Sequence, residues 1–284
     1  MYIIIFILIV LVLTLVGVII YDSNRFVVEK YIVRNKLISK NVSFVFISDL
    51  HNKVYGENNQ KLILKIKELK PDFILLGGDI VTARPGKPLE IAFSLVKELL
   101  SIAPVYYAMG NHEYRMRLYP EVYGSMYDDY VKMLDGIGIK FLDNESMDDF
   151  GITITGLSLE REYYRRFCTV KMEEDYISSL IGKKKDSFQI LLAHNPDYFN
   201  DYCAYGSELI LSGHIHGGMV RLPLLGGVVS PRVVLFPKYD GGVYKDGSST
   251  MILSRGLGMH TIPIRFNNPG EISYITLEKE KENL

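Results

Sequence analysis

Five short apolar runs in this chain each end in side chains that can hold a metal ion. VSFVFIS is followed by Asp49-Leu50-His51 and DFILLGG by Asp79. PVYYAMG runs into Asn111-His112-Glu113, FQILLA into His194-Asn195, and ELILSG into His214-Ile215-His216. Five of the six histidines in the chain stand at these run ends. Taken singly, each signal is weak, because Gly-Gly-Asp is often only a turn and a histidine beside a strand is often a hydrogen-bonded core residue. Recurrence at one topological position is a different matter. In α/β sheets the carboxyl ends of strands are where ligand crevices form, so five such ends would bring their ligands to one place. A mixed set of imidazole and oxygen donors suits Mn, Fe or Zn, whereas an all-oxygen shell would favour Mg or Ca. Gly78, Gly110 and Gly213 precede three of the clusters and allow the sharp turns out of the strands.

The elements that must position these groups are legible as short apolar runs alternating with amphipathic stretches. Val42–Ile47, Phe73–Leu76, Val105–Met109, Ile152–Leu157, Phe188–Ala193 and Glu208–Leu211 read as strands. Asn59–Leu69, with apolar Leu62, Ile63, Ile66 and Leu69, reads as a helix, as does Leu89–Leu100. Strands alternating with helices indicate an α/β sheet packed by helices. The last third is richer in strands and turns, with Arg232–Phe236, Met251–Ser254 and Ile272–Leu277 as strands. Residues 158–186 are the most polar long stretch and are expected to form an exposed helical insertion. No repeat or low-complexity segment interrupts residues 41–284, which read as one domain. Cys168 and Cys203 have no metal-binding or disulfide-framework spacing and read as small buried hydrophobes.

Of 284 residues, 48 % are hydrophobic and 23 % charged, so the chain has the composition of a globular protein rather than a disordered one. The net charge of −1 supplies no basic field for tracking nucleic-acid phosphates, and no nucleic-acid partner is expected. The charge is unevenly placed. Residues 1–21 (MYIIIFILIVLVLTLVGVIIY) carry none and are long enough to cross a bilayer, at about 1.5 Å per residue against about 30 Å of hydrocarbon. No basic residue precedes the apolar run and no small-residue cleavage site follows it, which favours a retained anchor over a signal peptide. Residues 22–40 hold five basic and two acidic groups and read as a basic juxtamembrane linker. Their +3 charge leans the following domain toward the cytoplasm, and leaves −4 for residues 41–284.

Asp49-Leu50-His51, Gly78-Asp79, Gly110-Asn111-His112-Glu113, His194 and Gly213-His214-Ile215-His216 together resemble the signature blocks of the calcineurin-like metallophosphoesterases, in order and spacing, over about residues 41–220. The Gly-His-x-His-Gly-Gly ending and the apolar start resemble the membrane-associated bacterial YkuE-like and YaeI-like phosphodiesterase branch, whose relatives include enzymes acting on UDP-diacylglucosamine. Ile215 and Met219 depart from the Thr and Gln usual in that branch, at positions that are not ligands. The resemblance implies a four-layer α-β-β-α sandwich and two divalent metal ions bridged by a carboxylate and a hydroxide that attacks phosphorus. Asp49, His51 and His216 would hold the first metal, Asp79 would bridge, and Asn111, His194 and His214 would hold the second. His112 would act as general acid, or as donor to the developing charge. Glu113 is either an orienting group for His112 or a solvent-exposed side chain. Arg255 and His260, in a glycine-rich loop, are candidate phosphate contacts or ordinary turn residues.

The substrate class implied is a phosphate ester. Confinement of enzyme and substrate to one membrane raises effective concentration, and points to a phosphodiesterase or pyrophosphatase acting on a phospho-lipid or nucleotide-lipid. Met219–Ser230, apolar and punctuated by Gly and Pro, is either a loop reaching toward lipid or a buried loop and strand. The alternatives are a phosphatase for soluble nucleotides or phosphoproteins, and a membrane-tethered scaffold whose metals serve structure only.

Overall fold

The structure, a computed structural model, describes residues 1–165, 170–230, 234–259 and 263–280. In chain order it comprises α1 (Tyr2–Ser23), β1 (Phe26–Asn35), β2 (Val42–Ile47), α2 (Gln60–Leu69), β3 (Phe73–Leu76), α3 (Glu90–Leu100) and β4 (Val105–Tyr107). There follow α4 (Asn111–Leu118), α5 (Pro120–Tyr123), α6 (Met126–Asp135), β5 (Glu145–Asp149), β6 (Ile152–Leu157), α7 (Tyr176–Ile181), β7 (Gln189–Ala193), α8 (Phe199–Tyr205) and β8 (Leu209–Ser212). The chain ends through β9 (Val220–Leu222), β10 (Gly226–Val229), β11 (Gly242–Asp246), β12 (Ser249–Leu253) and β13 (Gly270–Lys279).

Two mixed sheets form, ordered β1-β13-β2-β3-β4 and β11-β12-β8-β7-β6-β5, with β9 and β10 as a separate hairpin. The alternation of side chains along each strand builds the layers. On β2, Phe44 and Phe46 face the second sheet, while Val45 and Ile47 face α2 and α3. On β7, Ile190 and Leu192 face the first sheet, and Leu191 and Ala193 pack toward α7 and α8. Central strands buried on both sides read as continuous apolar runs for this reason. The result is the expected α-β-β-α sandwich, with three apolar layers between its four.

Two stretches differ from the sequence reading. Residues 22–40, expected as a linker, contain β1, which pairs in parallel with β13 along its whole length, from Phe26 opposite Gly270 to Asn35 opposite Lys279. The charges hid it: β1 is an edge strand with only one neighbour, so Glu29, Lys30 and Arg34 are tolerated there. Ten residues at about 3.3 Å each also carry Arg34, Lys36 and Lys40 some 30 Å from the end of α1. That leaves Arg25 as the basic group nearest the apolar helix and weakens the charge argument for orientation. Residues 158–186 are not an exposed insertion. Tyr163, Tyr164, Met172 and Ile177 are buried against the outer face of the second sheet, and tyrosines supply the apolar area that a count of charges overlooks. Residues 166–169, with Cys168, and residues 231–233, at the start of the expected Arg232–Phe236 strand, lie outside the described residues. Cys203 is partly exposed.

Candidate metal centre

The five run ends meet at one edge of the sandwich. Loops leaving β2 and β3 zip together through Asp49 N to Gly78 O (3.0 Å) and His51 N to Asp79 O (3.0 Å). The two sheets clasp each other at the same place. The His214 amide donates to Asp49 Oδ1 at 3.0 Å, and His194 Nδ1 lies 2.7 Å from the Gly77 carbonyl. That contact requires the proton on Nδ1 and aims Nε2 into the cluster, the arrangement that orients an imidazole toward a metal.

The backbone is bent to deliver these groups. Asp49, His51, Asp79, His214 and His216 all have φ between 50° and 71°, in the left-handed region that few non-glycine residues adopt. Such conformations cost energy and gather at functional sites. Two glycines make the close approach possible. Gly78 has φ of 88° and lies against Gly110, and a Cβ on Gly213 would overlap the Asp49 carboxylate.

Three groups of potential ligand atoms lie within 4.8 Å of one another: Asp49, His51 and His216; Asp79, His194 and His214; and His51, Asp79 and His112. The first group holds the same residues as the set expected for one metal; the second brings the expected bridge Asp79 together with His194 and His214 and does not include Asn111. His51 Nε2 and His216 Nε2 face each other at 3.2 Å, and His216 Nε2 is 3.3 Å from Asp49 Oδ1. His194 Nε2 is 3.2 Å from Asp79 Oδ2 and 3.6 Å from Asp49 Oδ1. The third group adds His112, whose Nε2 is 4.0 Å from Asp79 Oδ2.

The donor set fits divalent cations. Asn111 Oδ1 is buried with no hydrogen-bond partner among the described residues, which is costly unless something absent from the protein satisfies it. Asp49 and Asp79 are 0 % and 2 % exposed, and two buried carboxylates side by side call for positive charge. Burial disfavours an imidazolium at His194, but Asp79 and Asp49 outweigh it and raise the pKa to about 10. Burial alone would raise Asp79, yet His194, His112 and His51 hold it well below the usual carboxylate range. Burial raises Asp49.

His112 is built differently from its neighbours. Its Nδ1 accepts from the Ala83 amide at 2.8 Å, so the neutral ring must carry its proton on Nε2, which faces the cluster. Burial lowers its pKa, which keeps that ring a neutral N–H donor near pH 7. The backbone N–H of His112 also holds Asp79 Oδ1 at 2.7 Å.

Glu113 is neither solvent-exposed nor bonded to His112. It is fully buried, and its Oε2 accepts from the amides of Asp79 (2.8 Å) and Gly110 (3.0 Å). Its Oε1 accepts from the Ile80 amide and the Tyr107 hydroxyl, both at 2.9 Å. Burial and the Asp79 charge push it up to about 7, against the pull of the amide donors. Glu113 therefore fixes the Asp79 turn rather than the histidine.

Arg255 is engaged by carboxylates of the protein itself. Its Nε donates to Glu271 Oε2 at 2.8 Å and its guanidinium also pairs with Glu29, tying β13 to β1. His260 lies outside the described residues. Sequence reasoning missed three supports: Ser48, whose hydroxyl donates to Asp49 Oδ2 at 2.6 Å; Tyr164, whose ring meets His214 edge-on at 5.3 Å; and buried Arg265, which donates to the carbonyls of Gly256, Gly258 and Asn268 and pins the loop over Asp49. Only Ser48 had a signal, its position next to a ligand.

Two stacked sheets thus gather Asp, His and Asn side chains able to hold metal on loops at one shared edge. The calcineurin-like phosphoesterase family matches residues 42–218, and the chain belongs to that family. It is 29 % identical over 248 residues to the uncharacterized metallophosphoesterase YkuE of Bacillus subtilis, covering 82 % of this chain and 78 % of that protein. It is 24 % identical over 241 residues to the phosphodiesterase YaeI of Escherichia coli, covering 82 % and 81 %. An uncharacterized metallophosphoesterase of Helicobacter pylori is 28 % identical over 247 residues, but the match spans 60 % of that protein's length against 84 % of this chain.

Proposed function

We propose that this protein is a membrane-anchored, metal-dependent phosphoric ester hydrolase of the phosphodiesterase type, acting on a lipid-borne phosphodiester or pyrophosphate. The observation that carries the reading is the convergence of Asp49, His51, Asp79, Asn111, His194, His214 and His216 on one edge, with His112 presenting Nε2–H beside them. Asp49, His51 and His216 would hold one divalent ion and Asn111, His194 and His214 a second, with Asp79 between them. Mn, Fe or Zn suits this mixture of imidazole and oxygen. Such ions supply positive charge for the phosphoryl oxygens and lower the pKa of water near them.

The protein's own part is positioning and hydrogen bonding. Neutral His112 donates a hydrogen bond from Nε2–H to the charge developing on the leaving oxygen or the phosphoryl group. Glu113 holds the turn that sets Asp79, and the clasp between the sheets keeps the two ligand sets from separating. The name of YaeI favours a diester over a monoester. Helix α1, 22 residues long and apolar throughout its exposed length, supports the anchor, and an anchor supports a substrate in the same membrane.

The test is hydrolysis of bis-p-nitrophenyl phosphate against p-nitrophenyl phosphate by the full chain loaded with Mn²⁺ or Zn²⁺. Preferential cleavage of the diester is expected. Preference for the monoester would overturn the diesterase assignment, and no turnover of either by metal-loaded protein would leave a scaffold.

A further inference from the structure

We propose that the ligand-bearing edge of the sandwich faces the bilayer, and that the β9–β10 hairpin enters the same membrane as α1. The inference rests on the reading of α1 as a membrane span, and deepens the proposed function by saying where the lipid-borne phosphate meets the site.

Strand directions place the anchor. β1 starts at Phe26 opposite Gly270, the start of β13. β13 runs antiparallel to β2, with Ser273 opposite Phe46. The beginning of β1 therefore lies at the carboxyl end of β2, where Asp49 and His51 leave the sheet. Hydrogen bonds confirm the neighbourhood: Gly270 N donates to Arg25 O at 3.1 Å, and Lys53, two residues past His51, donates to Asn24 Oδ1 at 2.9 Å. Asp22 and Ser23 are buried in the domain, while residues before Gly17 are exposed. The helix thus leaves the domain from the catalytic edge.

The hairpin leaves from the same edge. It follows the His214-Ile215-His216 loop directly: Met219 N to Val229 O at 2.7 Å closes its base, Val220 bridges Phe266, and nearby Asn268 Nδ2 donates to His216 O at 2.8 Å. Its tip is apolar and uncovered: Leu224 is fully exposed and Leu225 is 63 % exposed. Leu235 and Phe236, 65 % and 60 % exposed, lie beside the base of the same hairpin through the Val229–Leu235 bridge and the Phe236 N to Val228 O bond. Lys238 is exposed just beyond. An exposed apolar tip, further exposed apolar side chains along the same hairpin and a cation nearby are the pattern of a segment lying at the membrane interface. Leu224 also has φ of 69°, a conformation that a turn normally assigns to Gly or Asn. A bulky apolar side chain held there, fully in water, is strained and unrewarded unless lipid receives it.

Because α1 and the hairpin tip project from one edge, a membrane that takes both holds the metal centre at headgroup depth. That is where the phosphorus of a phospholipid or nucleotide-lipid lies.

The test uses the full chain with Cys168→Ser and Cys203→Ser, reconstituted in phosphatidylethanolamine–phosphatidylglycerol vesicles. One variant carries Leu224→Cys and the other Leu37→Cys, which follows the far end of β1 and is solvent-exposed. Each is labelled with a nitrobenzoxadiazole fluorophore. The label at 224 is expected to shift to the blue, escape aqueous iodide and be quenched by doxyl lipids, while the label at 37 stays open to iodide. Iodide access at both positions, or protection at both, overturns the proposal. The same vesicles are assayed with bis-p-nitrophenyl phosphate. Absence of turnover there counts against the hydrolase reading and leaves the label result to decide the membrane contact.

Discussion

A divalent ion that binds through His194 would have to displace a proton from it. With Asp79 and Asp49 raising the His194 pKa to about 10, the imidazole is protonated at neutral pH, and a divalent ion binding through Nε2 competes with that proton. Apparent affinity should then rise about tenfold per pH unit from about pH 7 to about pH 9, a gain of roughly 3 kcal/mol at about 1.4 kcal/mol per unit. Calorimetric titration with Mn²⁺, in buffers of different ionisation enthalpy, should count about one proton released over that range. Stability should follow with a definite sign. The folded pKa lies above the ordinary imidazole value of 6.5, so in the metal-free protein this proton stabilises the fold fully below about pH 6.5. The contribution is lost as pH rises through about 10, with a ceiling of about 5 kcal/mol. Chelation should therefore lower Tm much more at about pH 9 than at about pH 6. Metal affinity independent of pH across this window, with no proton released, would refute the assignment of His194 as a ligand held between two carboxylates.

Three further substitutions test other parts of the centre. His112→Ala should retain metal by elemental analysis while turnover of bis-p-nitrophenyl phosphate falls by about 10²–10⁴, and an empty site would make His112 a ligand instead. Glu113→Ala removes the acceptor of four backbone amides, that of Val81 the longest, and one tyrosine hydroxyl, all buried. At about 1 kcal/mol or more for each orphaned donor, it should cost at least about 4 kcal/mol in denaturant unfolding and loosen metal at the Asp79 turn. Gly213→Ala pushes a Cβ into the Asp49 carboxylate. It should lower metal content in protein whose far-ultraviolet circular dichroism is unchanged, and full metal occupancy would show that the clasp can yield.

Where the chain is locally consistent, it was readable. β2, β3, β6, β7 and β8 lie in the interior of their sheets, so their apolar runs stand out from the loops. The amphipathic periods of α2 and α3 were equally plain. β1 and β5 escaped because edge strands tolerate charge: all five residues of β5 are exposed. The functions of Glu113 and Arg255 escaped for another reason. A charged side chain next to a motif looks the same whether it meets solvent, substrate or a buried amide, and only its partners decide. For Glu113 these are the amides of Asp79, Ile80 and Gly110, some thirty residues away or across a turn. For Arg255 they are carboxylates on two different strands.

The sequence by itself determined the chemistry available to this protein: seven metal-ligand candidates, one further histidine and an apolar segment long enough to cross a bilayer. Ligand type and strand-end position are local properties, set by residue identity and apolar runs of a few residues. Only the tertiary structure decided that the two sheets close over each other at Asp49 and Gly213, that His112 turns Nε2 toward the cluster, and that helix α1 and an apolar hairpin leave from the edge where the candidate ligands gather. Those facts depend on strand register and direction between segments as far apart as Phe26 and Gly270. Such pairings are held by backbone hydrogen bonds that are nearly indifferent to residue identity, so no local pattern announces them.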